Sequence, residues 1–117
     1  MKKIKIRFQE WDCIVRTGLY ENSRLAITLE DANDGDLVAT ATTNIPERAL
    51  EENSVFIKEY SENEGMFEVL HKAGIITNIV TGSSNQGFAI IKSYRLAPLG
   101  EELLQEAYKA FIDGDNE

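Results

Sequence analysis

The sequence predicts an α+β domain: a curled, mainly antiparallel sheet of about six strands with one central helix and one C-terminal helix. Three observations lead there. Short segments alternate apolar and polar residues with the two-residue period of half-buried strands, as in Ile4, Ile6 and Phe8 against Lys3, Lys5 and Arg7. Two longer segments instead carry apolar residues at helical spacing. The strands follow one another through short turns with no strand–helix–strand alternation, which argues against a parallel sheet. At 117 residues the chain is one domain in size, long enough to bury a core without disulfide or metal.

Taken in order, residues 2 to 8 form the first strand, whose outward row of Lys3, Lys5 and Arg7 suits edge protection and solubility. Asp12 to Tyr20 is rich in strand formers, and Gly18 suggests a bulge or bend. Arg24 to Glu30 alternates with Leu25, Ile27 and Leu29 inward. The turn Asp31-Ala32-Asn33-Asp34-Gly35-Asp36 has the flavour of a calcium loop. An EF-hand counted from Asp31 would need glycine and glutamate where Asp36 and Thr42 stand, so a hairpin turn with positive φ near Gly35 is the better reading. The return strand, Leu37 to Asn44, closes at Pro46, and Val55 to Tyr60 is the next strand.

The central helix is expected over Ser61 to Gly74. Ser61 and Glu64 have the spacing of a capping box, Met66, Val69, Leu70 and Ala73 share a face, and His71 and Lys72 suit the negative end of the dipole. Gly74 takes a left-handed stop, with Ile75 folding back toward Leu70. Ile75 to Val80 is a strand ending in the flexible run Thr81 to Gly87, which lacks the lysine of a phosphate loop. Phe88 to Ala97 is the last strand, with Phe88, Ile90, Tyr94 and Leu96 on one face and Lys92 at its rim. Residues 1–97 thus form the body. Residues 98–113 form a helix packed on it through Leu103, Leu104, Ala107, Ala110 and Phe111, or else on a partner, and 114–117 form a disordered tail.

Net charge is −8. From Pro98 onward six acids face one base, so that segment holds −5 of the total, and the body, with 14 acids and 11 bases, is only mildly acidic. There is no broad basic stripe, which argues against direct nucleic-acid binding. The lone Cys13 precludes an internal disulfide, and no leader pattern or long apolar run is present, so a cytoplasmic protein off the membrane is expected.

The inventory for catalysis is thin. His71 and Cys13 are the single residues of their types and together fall short of the three or four ligands of a zinc site. No local pattern makes them a nucleophile and base. Glu59, Glu62, Glu64 and Glu68 are accounted for by a helix start. The expectation is a non-enzyme with no cofactor and no metal. The remaining enzymatic alternative is a small site built from Tyr60, Glu64 or His71.

The run Ile57-Lys58-Glu59-Tyr60-Ser61-Glu62-Asn63-Glu64-Gly65-Met66, continued by Leu70 and Ala73-Gly74-Ile75, resembles a signature of small bacterial domains of unknown function encountered in phages, plasmids and conjugative elements. Ala26 to Leu29, Ala39-Thr40-Ala41, Asn44-Ile45-Pro46 and the strand around Gly87 to Leu96 are similar to that family too. The resemblance covers about residues 15 to 97 and omits the acidic final helix. It implies an accessory protein of mobile DNA, without an activity to carry over. The expected role is therefore an interaction protein, monomeric or homodimeric, with Tyr60, Glu62, Glu64, Glu101, Glu102 and Glu106 as candidate contact residues. The alternative is an anti-defence protein whose Glu101, Glu102, Glu106 and Asp113 imitate phosphates.

Overall fold

The computed structural model describes residues 3–115; Lys2 of the expected first strand and Asn116 and Glu117 of the expected tail lie outside the described residues. The fold is α+β with seven antiparallel strands in two sheets and two helices, where the sequence predicted one sheet of about six. β1 (Lys5–Phe8), β2 (Trp11–Leu19), β3 (Leu25–Asp31) and β4 (Leu37–Thr40) form a meander in sequence order. β5 (Ser54–Ile57), β6 (Ile76–Gln86) and β7 (Ala89–Leu96) form the second sheet in the order β5-β7-β6. The sheets are stitched just past β4, where Thr42 bridges Ile57, the Thr43 amide donates to the Phe56 carbonyl and the Lys58 amide donates to the Ala41 carbonyl. One curled sheet is thus interrupted at Ala41–Thr43, because the register there is held by a single bridge.

The turns follow their residues. At the β3–β4 turn Gly35 has φ +79 and its amide donates to the Asp31 carbonyl. Asp31 and Asp34 accept the amides of Asn33 and Asp36 at 2.7 and 2.9 Å, so both carboxylates are engaged in the turn itself. Gly18 marks no bulge: β2 pairs with β3 in unbroken register through Gly18↔Ala26. The glycine- and serine-rich run expected to be flexible is instead the second half of β6, and the β6–β7 turn shrinks to Gly87 and Phe88, with Gly87 at φ +64. Glycine at the first turn position matches the twist of two antiparallel strands.

α1 spans Met66–Lys72, not Ser61–Gly74. The chain before it forms a 3-10 turn, Ser61–Asn63, and then breaks at Gly65, φ +93. Ser61 has φ +57, whereas a serine cap needs an extended backbone, and its side chain caps nothing. Two side chains explain the break. Gln9 Nε2 donates to the carbonyls of Glu62 and Glu64, at 2.9 and 3.3 Å, which a longer helix would have used internally. Buried Asn63 donates to the carbonyls of Thr40 and Lys58, at 2.7 and 3.1 Å, and pins the turn to both sheets. The first-turn amide of Phe67 is met by Glu59 Oε2 at 3.1 Å. The other end follows its residues closely: Gly74, φ +78, donates to the His71 carbonyl and Ile75 to the Leu70 carbonyl, with Leu70 and Ile75 both buried.

α2 runs Pro98–Asp115, past Gly114, which therefore does not stop it. It lies across β2 and buries Leu103, Leu104 and Ala107, while Phe111 stays exposed. The main core gathers Ile27 and Leu29 from β3, Val55 and Ile57 from β5, Leu96 from β7, and Met66 and Leu70 from α1. A second, smaller cluster of Ile45, Phe56 and Ile91, with Leu50 against it, lies under the β4–β5 connection. Every residue of β5 is buried, so the second sheet is covered on both faces near β5 and uncovered toward the β6–β7 turn.

Candidate interaction surface

The β6–β7 hairpin outruns the core. Ile91 and Ser93 turn to the smaller cluster, and Tyr94 and Leu96 to the main one. Ile90 and Lys92, on the same face as Tyr94, extend beyond both. Phe88, assigned from sequence to the buried face, sits in the turn and is fully exposed, and Ile90 is 67% exposed. Ile79 and Val80, near the start of β6, are about half exposed. Residues 73–91 contain no ionisable side chain, in a chain where 33 of 117 residues are Asp, Glu, Lys, Arg or His. The most exposed of the large apolar side chains among the described residues, Phe88, thus stands on the stretch without charge.

Beside the hairpin, Ile57, Glu59, Tyr60, Ile90, Lys92 and Tyr94 line a groove of about 220 Å³. β5 and the 3-10 turn set one wall, and β7 the other. Tyr60 is half exposed, with Lys58 Nζ 5.6 Å from its ring centroid. Lys58 also donates to Glu62 at 2.7 Å, which lowers the Glu62 carboxyl to about 2 and raises the Lys58 amine. Tyr94 is pushed up by burial, then by the charge of Glu59, and its ring lies 4.8 Å from Phe67, which stacks on His71 at 5.3 Å. The groove offers an aromatic wall, an apolar floor and one charge of each sign.

Of the residues singled out from sequence, Tyr60 lies in this groove and Glu62 next to it through Lys58. Glu64 is exposed on the turn before α1, and neither it nor His71 lines the groove. Cys13 is buried on β2 with its thiol on the Trp11 carbonyl, and burial pushes its pKa up. Glu101, Glu102 and Glu106 are exposed on the first turns of α2, where with Asn53, Pro98 and Gln105 they line a different, open groove of about 610 Å³. Among the described residues, no three His, Cys, Asp or Glu side chains are grouped to hold a metal, and no helix is long and apolar enough to cross a membrane.

Sequence reasoning missed Phe88 and Ile90 as surface, though it set Lys92 at the rim, and it missed Asn63 and Gln9 as the pins of the turn carrying Tyr60. The signal available for the first group was the uninterrupted absence of charge from Ala73 to Ile91. No family model, no curated protein and no solved structure matches the chain.

Proposed function

We propose that this protein is a non-enzymatic accessory protein of a phage or other mobile element, working in the cytoplasm by binding another protein through the open face of the β6–β7 hairpin and the Tyr60 groove. The observation that carries the reading is the placement of Phe88 and Ile90, exposed at the end of a hairpin that has no charge from Ile76 to Ile91. Isolated exposed apolar residues are ordinary, but an apolar turn next to an aromatic groove has the composition of an interface centre. The mobile-element context rests on the sequence resemblance alone, chiefly on the run Tyr60-Ser61-Glu62-Asn63-Glu64-Gly65-Met66.

The test is affinity capture from host lysate with three full-length baits: wild type, Phe88→Ser/Ile90→Ser, and Glu101→Lys/Glu106→Lys. Both substituted pairs are exposed, so folding is expected to survive and is checked by circular dichroism. A partner kept by wild type and the α2 variant but lost by the hairpin variant supports the proposal. Loss only with the α2 variant overturns it in favour of phosphate imitation by the acidic helix. Truncation after Ala97 is a poor test, because it removes Leu103, Leu104 and Ala107 from the core.

A further inference from the structure

Each sheet leaves strand edges to be managed, and the two outer strands are treated in opposite ways. β1 is four residues long and carries Lys5 and Arg7; α1 packs against both β1 and β6, so length and charge are what separate the two. β6 is eleven residues long, is the outer strand of its sheet, and has neither charge nor proline from Ile76 to Gln86. Edge strands ordinarily avoid pairing by being short, charged, bulged or covered. β6 is bulged only in its first half, where register shifts fall between Ile76 and Val80 and between Val80 and Gly82. From Gly82 to Gln86 it pairs regularly with Ser93 to Ala89.

The register fixes which backbone groups are available. Gln86↔Ala89 closes a two-residue turn, so Gln86, Ser84 and Gly82 direct their N–H and C=O groups at β7. Ser83 and Asn85, whose side chains are both exposed, direct theirs at the free edge.

We infer that the protein forms a two-fold symmetric dimer in which β6 pairs antiparallel with β6 of a second copy about Ser84, joining two three-stranded sheets into one of six strands. This goes beyond the protein-binding role proposed above and does not depend on it. A two-fold axis at Ser84 sets Ser83 of one copy opposite Asn85 of the other, which is the pairing that lets both outward-facing residues exchange hydrogen bonds. It also brings Phe88 of each copy toward Val80 of its partner, giving the fully exposed ring apolar cover. Charge selects the occupant. Each copy carries −8, so two copies repel over most surfaces, whereas the β6 edge meets its own likeness with no charge on either side.

The test is sedimentation velocity on the full chain from about 5 μM to about 500 μM, because association through a modest interface depends on concentration. Wild type is expected to reach twice the 13.1 kDa chain mass. Asn85→Pro removes an outward N–H without touching the β6–β7 ladder, and Ser83→Lys sets like charges close across the axis. Both are expected to stay at the monomer mass with an unchanged circular dichroism spectrum. Hydrogen exchange on wild type supplies a readout free of variants: the Ser83 and Asn85 amides should slow as concentration rises. Wild type that stays monomeric throughout overturns the inference. So does a dimer indifferent to both substitutions, or protection of those amides only when another protein is added.

Discussion

Replacing Gly100 by alanine isolates the contact that seats the C-terminal helix. In an ordinary helix interior this change adds about 1 kcal/mol of stability, because glycine is the poorer helix former. Here the ideal Cβ would fall far inside contact distance of the Ile75 carbonyl oxygen, with Leu96 Cδ2 at 2.9 Å and the Ile75 carbonyl carbon at 3.1 Å. That carbonyl cannot swing away, since it accepts the Ala97 amide at 3.0 Å and follows the left-handed stop at Gly74. Forcing a methyl group into packed surroundings costs about 1–3 kcal/mol, and a backbone obstacle puts the cost at the top of that range. The net effect is a loss of about 2 kcal/mol, or a fall of about 8 °C in midpoint for a domain of this length. Thermal unfolding by circular dichroism reads it, with Gly18→Ala as the control, because nothing lies within 4 Å of a Cβ there. A Gly100→Ala protein as stable as wild type, or losses of equal size at both positions, would refute the account of how α2 is seated.

Glu59→Ala should cost about 0.5–1 kcal/mol by removing the acceptor of the Phe67 amide, whereas Ser61→Ala should cost less, since Ser61 caps nothing; urea midpoints in the reverse order would restore the capping box. The Glu62 carboxyl should titrate near about 2, below its ordinary 4.5, and Lys58→Met should bring it back up. With the folded value depressed, the stability from this pair is present above 4.5 and fades as pH falls toward about 2. A side-chain NMR titration with a wild-type midpoint at the ordinary value would show that the Lys58–Glu62 contact is not held in solution. Cys13, buried and with its thiol pKa raised, should react with a disulfide reagent only as fast as the protein opens; labelling at the rate of a free thiol would place it outside the core.

What could be read from the sequence was whatever is decided within a few residues. The β3–β4 turn, the strand alternation of β1 and β3, and the stop at Gly74 each depend on neighbours in the chain, and each stands where its pattern put it. The start of α1 depends on Gln9, 53 and 55 residues before the carbonyls it holds, and on Asn63 reaching Thr40 across the fold. A capping box at Ser61 is a local preference worth about 1 kcal/mol, and several long-range hydrogen bonds outweigh it. Gly100 shows the same limit in steric form, because its need for a missing Cβ arises from a carbonyl 25 residues earlier.

The hairpin was hidden for a different reason. Thr81 to Gly87 has the composition of a flexible connection, and Phe88 to Leu96 has the alternation of a buried strand, so the chain reads as a loose loop followed by a core element. Both impressions come from one fact, the absence of charge from Ala73 to Ile91. Lack of charge marks residues that avoid water in the folded monomer, but it equally marks residues that avoid charge at a contact with another chain, and periodicity cannot separate the two. The geometry separates them here: Ile91 packs with Ile45 and Leu50 of the chain's own β4–β5 connection, while Phe88 and Ile90 stay exposed and no strand of the described residues pairs with the outer edge of β6. The same composition therefore continues past the point where the intramolecular core ends, and it is that continuation, rather than any one residue, that makes the far end of the hairpin the place for a second chain.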